Sequence, residues 1–362
     1  MGRILHINTG TYIGGGIIKK TISLILNDKF NTHELYFLWY SDAQEERFKM
    51  MNYLNAIGIK YFYIYHNKIW ENIYGFYKFL KANNYDIVHF YTDNAMVIGK
   101  IVQLMGIKIQ FVRSFEGAPM YYTFPTKQLI NWALTSSKYF ISISKYVEKS
   151  YSVTYSSLKN KNKTVVYNSM VHNLQKHNDV SVRNGIICVG ALTNQKQFDV
   201  AIHIVSILKN KYKKEIPLYV LGAGTDKGKL QNLTKDLAIE DLVHFEGIVT
   251  NPESYYDKCR LFLHPAYNEG FGLVLIEAMK MELGVLVANS GALPEVVDDG
   301  RTGYILPLRN PEIWAKKIIE IYDDLDLLRK IGKQASISVE EHFSIERHIN
   351  GYKNFYNKAI NK

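Results

Sequence analysis

Two carboxylates, Glu269 and Glu277, stand with seven residues between them in the stretch HPAYNEGFGLVLIEAM, residues 264–279. A Gly-Phe-Gly turn and an apolar run lie between them. An acid at a turn can face a bound ligand, and an acid inside a helix can accept a pair of neighbouring hydroxyls. A helix-capping acid and a salt-bridged helical acid are the ordinary alternatives. The run RLFLHP reads as a strand ended by Pro265, and the spacing predicts a helix from about Gly272 onward. Gly270 and Gly272 let a ligand approach the backbone closely. The N–H groups of Phe271, Gly272 and Leu273 would then point at that ligand, backed by the positive end of the helix dipole. Such a place suits a phosphate or the oxygens of a sugar.

Other features converge on strand ends of the same half. VGALTNQKQFD sets Lys196 between a strand and a helix, where a lysine can hold a diphosphate. LGAGTDKGKL sets Gly222 and Gly224 at the next strand end, a weak signal, since a dinucleotide fingerprint belongs to the first strand–helix turn. FEGIVTNPE offers the backbone around Ile248 and Val249 for reading a nucleobase. Near the start, NTGTYIGGGIIKK places Gly14, Gly15 and Gly16 between the first strand and the first helix. That loop suits a substrate or phosphate, with a plain tight turn as the alternative. No metal site is expected. DDLD, residues 323–326, mimics a metal-binding Asp-x-Asp but reads as a solvated helix face. Cys188 and Cys259 are the only cysteines, too few for a zinc site or a disulfide framework, and read as buried thiols. His6, His89 and His264 lie in strands and read as lining or core.

These residues must be positioned by a chain of 362 residues, comfortable for two domains. Short β-rich runs alternate with amphipathic helical stretches through both halves, the pattern of parallel sheets with helices on both faces. The first half gives RILHIN, ELYFLWY, YFYIYH, DIVHFY, KIQFVR, YFISIS and TVVYN. After the polar, aperiodic SMVHNLQKHNDVSVRNG come GIICVG, PLYVLG, VHFEG, RLFLHP, GVLVAN and TGYILP. The expected fold is α/β, two Rossmann-like doubly wound domains facing across a cleft, with ligands at the C-terminal ends of the strands. Domain one is expected over residues 1–175 plus a returning C-terminal helix at 344–362, and domain two over 176–343. That helix carries Tyr352, Phe355 and Tyr356 toward the first domain.

The net charge is +10, and Met1–Met170 holds 20 Lys/Arg against 10 Asp/Glu while the remainder is balanced. A basic first half fits an anionic membrane surface or a phosphate-bearing substrate. It lacks the interleaved base-reading residues of a nucleic-acid binder, so no nucleic acid is expected. No apolar run is long enough to span a bilayer. MGRILHINTG reads as strand and turn, not as a signal segment. The expected location is the cytoplasm, with peripheral association at the inner face of the cell membrane. HNKIWENIYGFYKFLK is the candidate surface for that association, against the alternative of a core helix.

The second half resembles the nucleotide-sugar-binding domain of the retaining glycosyltransferases of family 4, the group 1 transferases, which have the GT-B fold. The resemblance rests on Glu269 and Glu277 within NEGFGLVLIEAM, on SGALPEVVDDGRTGYILP, and on FEGIV and GAG, over roughly residues 185–310. DIVHFY, VVYNSM, the glycine loop and HFSIERHINGYKNFY match more loosely. The resemblance implies that Glu277 binds the donor's ribose hydroxyls and Glu269 lies against the donor sugar. It further implies that the following amides hold sugar and phosphate and that Lys196 sits on the diphosphate. Three departures stand out. Ala191 occupies the family's usual arginine position, which leaves Arg113 as a substitute phosphate cation. FVRSFEGAPMYY, with Arg113 and Glu116 on the phosphate or acceptor side, has no histidine where the family often has one. Glu282 and Gly284 stand near the family's usual Gly and Pro after EAM.

The expectation is a retaining, metal-independent transferase without a cofactor. It would move a sugar from a nucleotide-sugar co-substrate, a UDP-sugar, to a saccharide or lipid-linked acceptor in surface polysaccharide or glycolipid synthesis. The basic N-terminal half would face a membrane-held, pyrophosphate-bearing acceptor. A nucleotide-sugar epimerase of the same architecture and a catalytically silent nucleotide-sugar binder remain as rivals.

Overall fold

The computed structural model describes residues 2–9, 16–38, 44–64, 68–170 and 174–361. The chain divides into two compact units: Met1–Val171 with Ile345–Lys362, and His172–Ser344. In the first unit the strands are β1 (Arg3–Asn8), β2 (Thr32–Leu38), β3 (Tyr61–Ile64), β4 (Ile87–Phe90), β5 (Gln110–Phe115), β6 (Tyr139–Ser142) and β7 (Asn162–Val165). All pair in parallel, in the order β3-β2-β1-β4-β5-β6-β7. The second unit has β8 (Ile186–Val189), β9 (Leu218–Leu221), β10 (Val243–Gly247), β11 (Leu261–His264), β12 (Gly284–Ala288) and β13 (Tyr304–Leu306). These are also parallel, in the order β10-β9-β8-β11-β12-β13. Every β-rich run in the sequence is a strand of one sheet or the other. The central strands are buried on both faces, which is why β4, β6, β9, β11 and β12 read as nearly unbroken apolar runs.

In each sheet the strand order reverses at one point, between β1 and β4 and between β8 and β11. Loops diverge there at the C-terminal strand ends, which is where open α/β sheets bind ligands. The helices entering and leaving are started by polar side chains. Thr92 accepts from the Ala95 N–H, Ser144 from Val147, and Asn310 from Ile313. The last helix, Ile345–Ile360, belongs to the first unit. Its Ile349, Tyr352, Phe355, Tyr356 and Ala359 complete a buried cluster with Ile4, Ile87, Val112, Ile141 and Val166.

The helix Ile69–Ala82 has two faces. Phe76 and Leu80 are buried, and the rings of Phe76 and Phe79 pack at a tilt against Tyr36, whereas Ile69, Trp70 and Tyr74 are exposed. Among the described residues no helix is long and apolar enough to cross a membrane. Each acid of the DDLD run has a structural partner: Asp323 pairs with Lys214, Asp324 caps the helix Leu325–His342, and Asp326 pairs with Arg329.

Candidate active site

The switch point of the second sheet lies between the loops that follow β8 and β11. The first loop carries Lys196, at the end of a short turn, Asn194–Lys196. The second carries Glu269. They meet: Lys196 Nζ lies 2.5 Å from Glu269 Oε2, with both side chains largely buried. His264, the last residue of β11 and wholly buried, places its Nε2 3.1 Å from the same oxygen. Burial alone would raise the Glu269 carboxyl, but the His264 hydrogen bond and the Lys196 charge outweigh it and hold the group far below the ordinary carboxylate range. Burial keeps His264 below its usual value, so it stays neutral at pH 7. It is thus a donor to Glu269 and not a competing cation.

The two loops are joined by backbone. Tyr267 N–H donates to Gln195 O at 2.8 Å, and the Gln195 amide donates to Asn268 O at 3.2 Å. Asn268 adopts φ +57°, and its N–H donates to Ser290 Oγ at 3.0 Å. Gly291, with φ +61°, packs so closely on Glu269 that a Cβ there would stand 2.3 Å from Glu269 O. Ala292 N–H donates to the same carbonyl at 2.8 Å. The SGA run after β12 therefore fixes the loop that carries Glu269, a positioning role that motif reading passes over. A glycine just before the helix-opening Ala-Leu-Pro is its only sequence signal.

Gly272 sits at φ +91° and starts the helix Leu273–Lys280, which no side chain caps. Gly270 and Phe271 precede it, and the Phe271 ring is buried edge-on against Phe343, so only its backbone can serve a ligand. Leu273 is half-buried. Glu277 lies on the second turn, where the Tyr256 hydroxyl donates to its Oε2 at 3.0 Å. Tyr256 is wholly buried, and burial together with the Glu277 charge pushes its phenol far above the usual range. The phenol therefore stays protonated and orients the carboxylate.

Gly222 and Gly224 have a different reason to be glycine. A Cβ on Gly222 would fall 1.9 Å from Gly190 O, and one on Gly224 would fall 2.3 Å from Leu192 O. The loops after β8 and β9 pack backbone to backbone, so these glycines build the site's wall. Ile248, 72% exposed, and half-buried Val249 follow β10, whose Gly247 accepts from Gly222 N–H at 2.7 Å. Ala191 is exposed on the loop after β8. Glu282 adopts φ +58°, a conformation that favours glycine, and Gly284 packs against Leu261 and Leu328.

In the first unit the expectations are corrected in part. Arg113 lies inside β5, 2% exposed, with Nη2 2.8 Å from Asp93 Oδ1, so its charge is paired within the unit. The alternating strand pattern turned it inward, and Asp93, opening the next helix, neutralises it. Glu116 is ion-paired with Lys20. Gly16 opens the helix Gly16–Asn27 with nothing among the described residues within 4 Å of its would-be Cβ, while Gly14 and Gly15 lie outside the described residues. His6 and His89 are wholly buried in a hydrogen-bonded array. Tyr91 OH, His6, His33 and Asp28 follow in steps of 2.8, 2.8 and 2.9 Å, and His89 bridges Tyr356 OH and Ser114 Oγ at 2.7 Å each. Among the described residues no group of three or more His, Cys, Asp or Glu could hold a metal ion. Cys188 and Cys259 are buried free thiols.

Comparison with known proteins fits this geometry. Residues 172–337 match the family model for glycosyl transferases group 1. The chain is 30% identical over 161 residues to D-inositol 3-phosphate glycosyltransferase of Streptomyces bingchenggensis, covering 42% of this chain and 35% of that protein. The chain thus spans about a third of that relative's length. It is 24% identical over 355 residues to an uncharacterized glycosyltransferase of Methanocaldococcus jannaschii, covering 94% of each. Among solved structures, Anabaena HepE in complex with UDP and glucose superposes with a TM-score of 0.82 at 17% identity, covering 99% of this chain and 100% of that one. The match to the glycosyl transferases group 1 model thus spans most of the second unit, and the chain as a whole has the GT-B fold.

Proposed function

We propose that this glycosyltransferase is a retaining, metal-independent enzyme that takes its sugar from a UDP-sugar held by the second unit. The observation that carries the reading is the meeting of Lys196 and Glu269 at the β8–β11 switch point, beside an uncapped helix start and with Glu277 one turn further on. A nucleoside diphosphate leaves as an anion. Preorganised cationic and amide groups lower the barrier by stabilising the charge that develops on it. Lys196 supplies the cation, and the N-terminal amides of Leu273–Lys280 supply aligned dipoles. Glu277, oriented by Tyr256, is the acceptor for the ribose hydroxyls. Glu269, ionised at any working pH, faces the donor sugar. The acceptor's own hydroxyl attacks from the leaving-group face and passes its proton to the departing phosphate, so no nucleophile–base pair is needed. Anabaena HepE, with its bound UDP and glucose, supports a uridine donor. The acceptor is a saccharide or lipid-linked saccharide, as in the synthesis of a surface polysaccharide or glycolipid, and the enzyme works in the cytoplasm without a cofactor.

Calorimetry of the full chain with UDP-, GDP- and ADP-sugars tests this directly. Binding of a UDP-sugar that is lost in Glu277→Ala is the expected result. Equal affinity of wild type and variant for every donor would sink the proposal. Product anomeric configuration, read by NMR, tests retention. Release of a free epimer without acceptor would point to the epimerase instead.

A further inference from the structure

Residues 174–184 lead into β8 without a strand or helix of their own. Their polar, aperiodic sequence reads as a linker, yet they are fastened to the second unit along their length. Gln175 N–H donates to Glu253 Oε1 at 2.6 Å, Lys176 pairs with Glu282, and Asp179 pairs with Arg329 Nη2 at 3.1 Å. Exposed ion pairs of this kind contribute little one by one. The buried pair is different. Arg183 is 2% exposed and Asp257 5%, with Arg183 Nη2 3.0 Å from Asp257 Oδ1. Burying two charges costs desolvation that is offset only when further hydrogen bonds satisfy both groups.

Those further bonds lead to the nucleotide site. Asp257 belongs to Glu253–Lys258, a helix of six residues that also carries Tyr256. So short a helix does not hold itself in water. Asp257 Oδ1 accepts from the N–H groups of His177 and Asn178 at 3.1 and 2.9 Å, and Lys258 O accepts from Asn184 N–H at 2.8 Å. The strap 174–184 therefore sets where the Tyr256 helix lies. Arg183 joins that helix to the one bearing Glu277. Its Nη1 donates at 2.9 Å to the carbonyl of Met281, the residue that closes Leu273–Lys280. Met281 N–H in turn donates to Glu277 O at 3.0 Å. A cation at this end also complements the helix dipole. The third nitrogen, Nε, donates to Asn178 O at 3.1 Å. Each guanidinium nitrogen thus engages a different segment: the strap, the helix of the phenol and the helix of the carboxylate. A lysine, with one point donor, cannot reproduce that fork.

The Tyr256 hydroxyl reaches Glu277 Oε2 at 3.0 Å. A slide of about 1 Å between the two helices would take that bond out of range. Resting on the donor reading above, we infer that Arg183 is a positioning residue for recognition of the donor's ribose. It holds the Tyr256 and Glu277 helices in register, which makes the strap 174–184 a working part of the nucleotide site.

The test is calorimetry of the full chain with UDP, with 2′,3′-dideoxy-UDP, which lacks both ribose hydroxyls, and with pyrophosphate. Wild type should prefer UDP over the dideoxy compound by about tenfold or more, as hydroxyls bonded to a carboxylate require. In Arg183→Lys that preference should fall to about threefold or less, while pyrophosphate affinity stays within about twofold of wild type. A merely structural loss would weaken pyrophosphate and both nucleotides alike. That parallel loss, or an unchanged preference in the folded variant, would overturn the inference.

Wild type alone carries a second test, which stands if Arg183→Lys does not fold. Coupling between two sites is reciprocal, so filling the ribose site must steady the strap. Amide hydrogen exchange at residues 175–184 should slow by about threefold or more with saturating UDP and not with saturating dideoxy-UDP. Equal protection by both, in a protein that prefers UDP, would overturn the inference as well. Wild type that binds no UDP, or binds the two nucleotides equally well, would fail the donor reading instead, so the two failures are distinct.

Discussion

Lys196 and Glu269 are 73 residues apart in the chain and 2.5 Å apart in the fold. The pair is made by two loops that the β8–β11 neighbourhood forces to diverge side by side. Removing either partner leaves the other charge largely buried, which is far more costly than removing both. Lys196→Met should therefore lower turnover at saturating donor by about tenfold or more, as expected for a lost leaving-group contact. It should also lower the melting temperature, whereas Lys196→Met with Glu269→Gln should recover stability but not activity. A double variant no more stable than the single one would contradict a paired buried charge.

Glu269 also fixes a pH dependence. Its carboxyl is depressed in the folded state, so the stability it contributes is complete above the unfolded value of about 4.3. That contribution is lost as pH falls below this toward the folded value. The difference in melting temperature between wild type and Glu269→Gln should be largest near pH 7 and shrink steadily between pH 5 and pH 3. A difference that grows on acidification would show that the carboxyl is not held ionised.

The buried histidines of the first unit act in a higher window. His6 and His89 are neutral in the fold and gain protons only on unfolding. Stability should then fall as pH drops below about 6.5, by up to about 1.4 kcal/mol per pH unit for each. Thermal unfolding at pH 7.5, 6.5, 5.5 and 5.0 measures it. His89→Asn should flatten that slope, and an unchanged slope would mean that the array is not buried neutral.

Gly291→Ala is the sharpest test of loop positioning. The new Cβ would collide with the Glu269 carbonyl, and alanine at φ +61° adds about 1–2 kcal/mol of backbone strain. A lower melting temperature and a donor affinity at least about tenfold weaker are expected. Wild-type affinity in a folded Gly291→Ala protein would show that the SGA run does not set the position of Glu269.

Tyr256→Phe removes the hydroxyl that orients Glu277. A lost hydrogen bond to a charged group is worth about 1.5–3 kcal/mol. UDP binding should weaken by roughly ten- to a hundredfold at unchanged pH optimum, read by calorimetry.

Much of this was legible in the sequence because it is local. Each strand is a short β-rich run, and Glu269 and Glu277 share one strand–turn–helix unit whose spacing is visible in a line of text. The misreadings concern contacts between segments. Gly222 and Gly224 suggested a ligand loop, yet what they approach is the backbone of Gly190 and Leu192, on a neighbouring strand end. Arg113 looked like a free cation because Asp93, its partner, sits on the helix after a different strand. The array from Tyr91 through His6 and His33 to Asp28 joins three elements, and no spacing rule links them.

The returning helix Ile345–Ile360 has a consequence for how the molecule is made. The core it completes, around Ile4, Ile87 and Val112, is contributed by two stretches of chain with the whole second unit between them. Synthesis runs from the N-terminus, so the first sheet emerges from the ribosome with an apolar face that nothing yet covers. The second unit, continuous in the chain, is able to fold as soon as it appears. The half of the molecule that is translated first is therefore the half that matures last, and its uncovered face is where a chaperone would be needed in the interval.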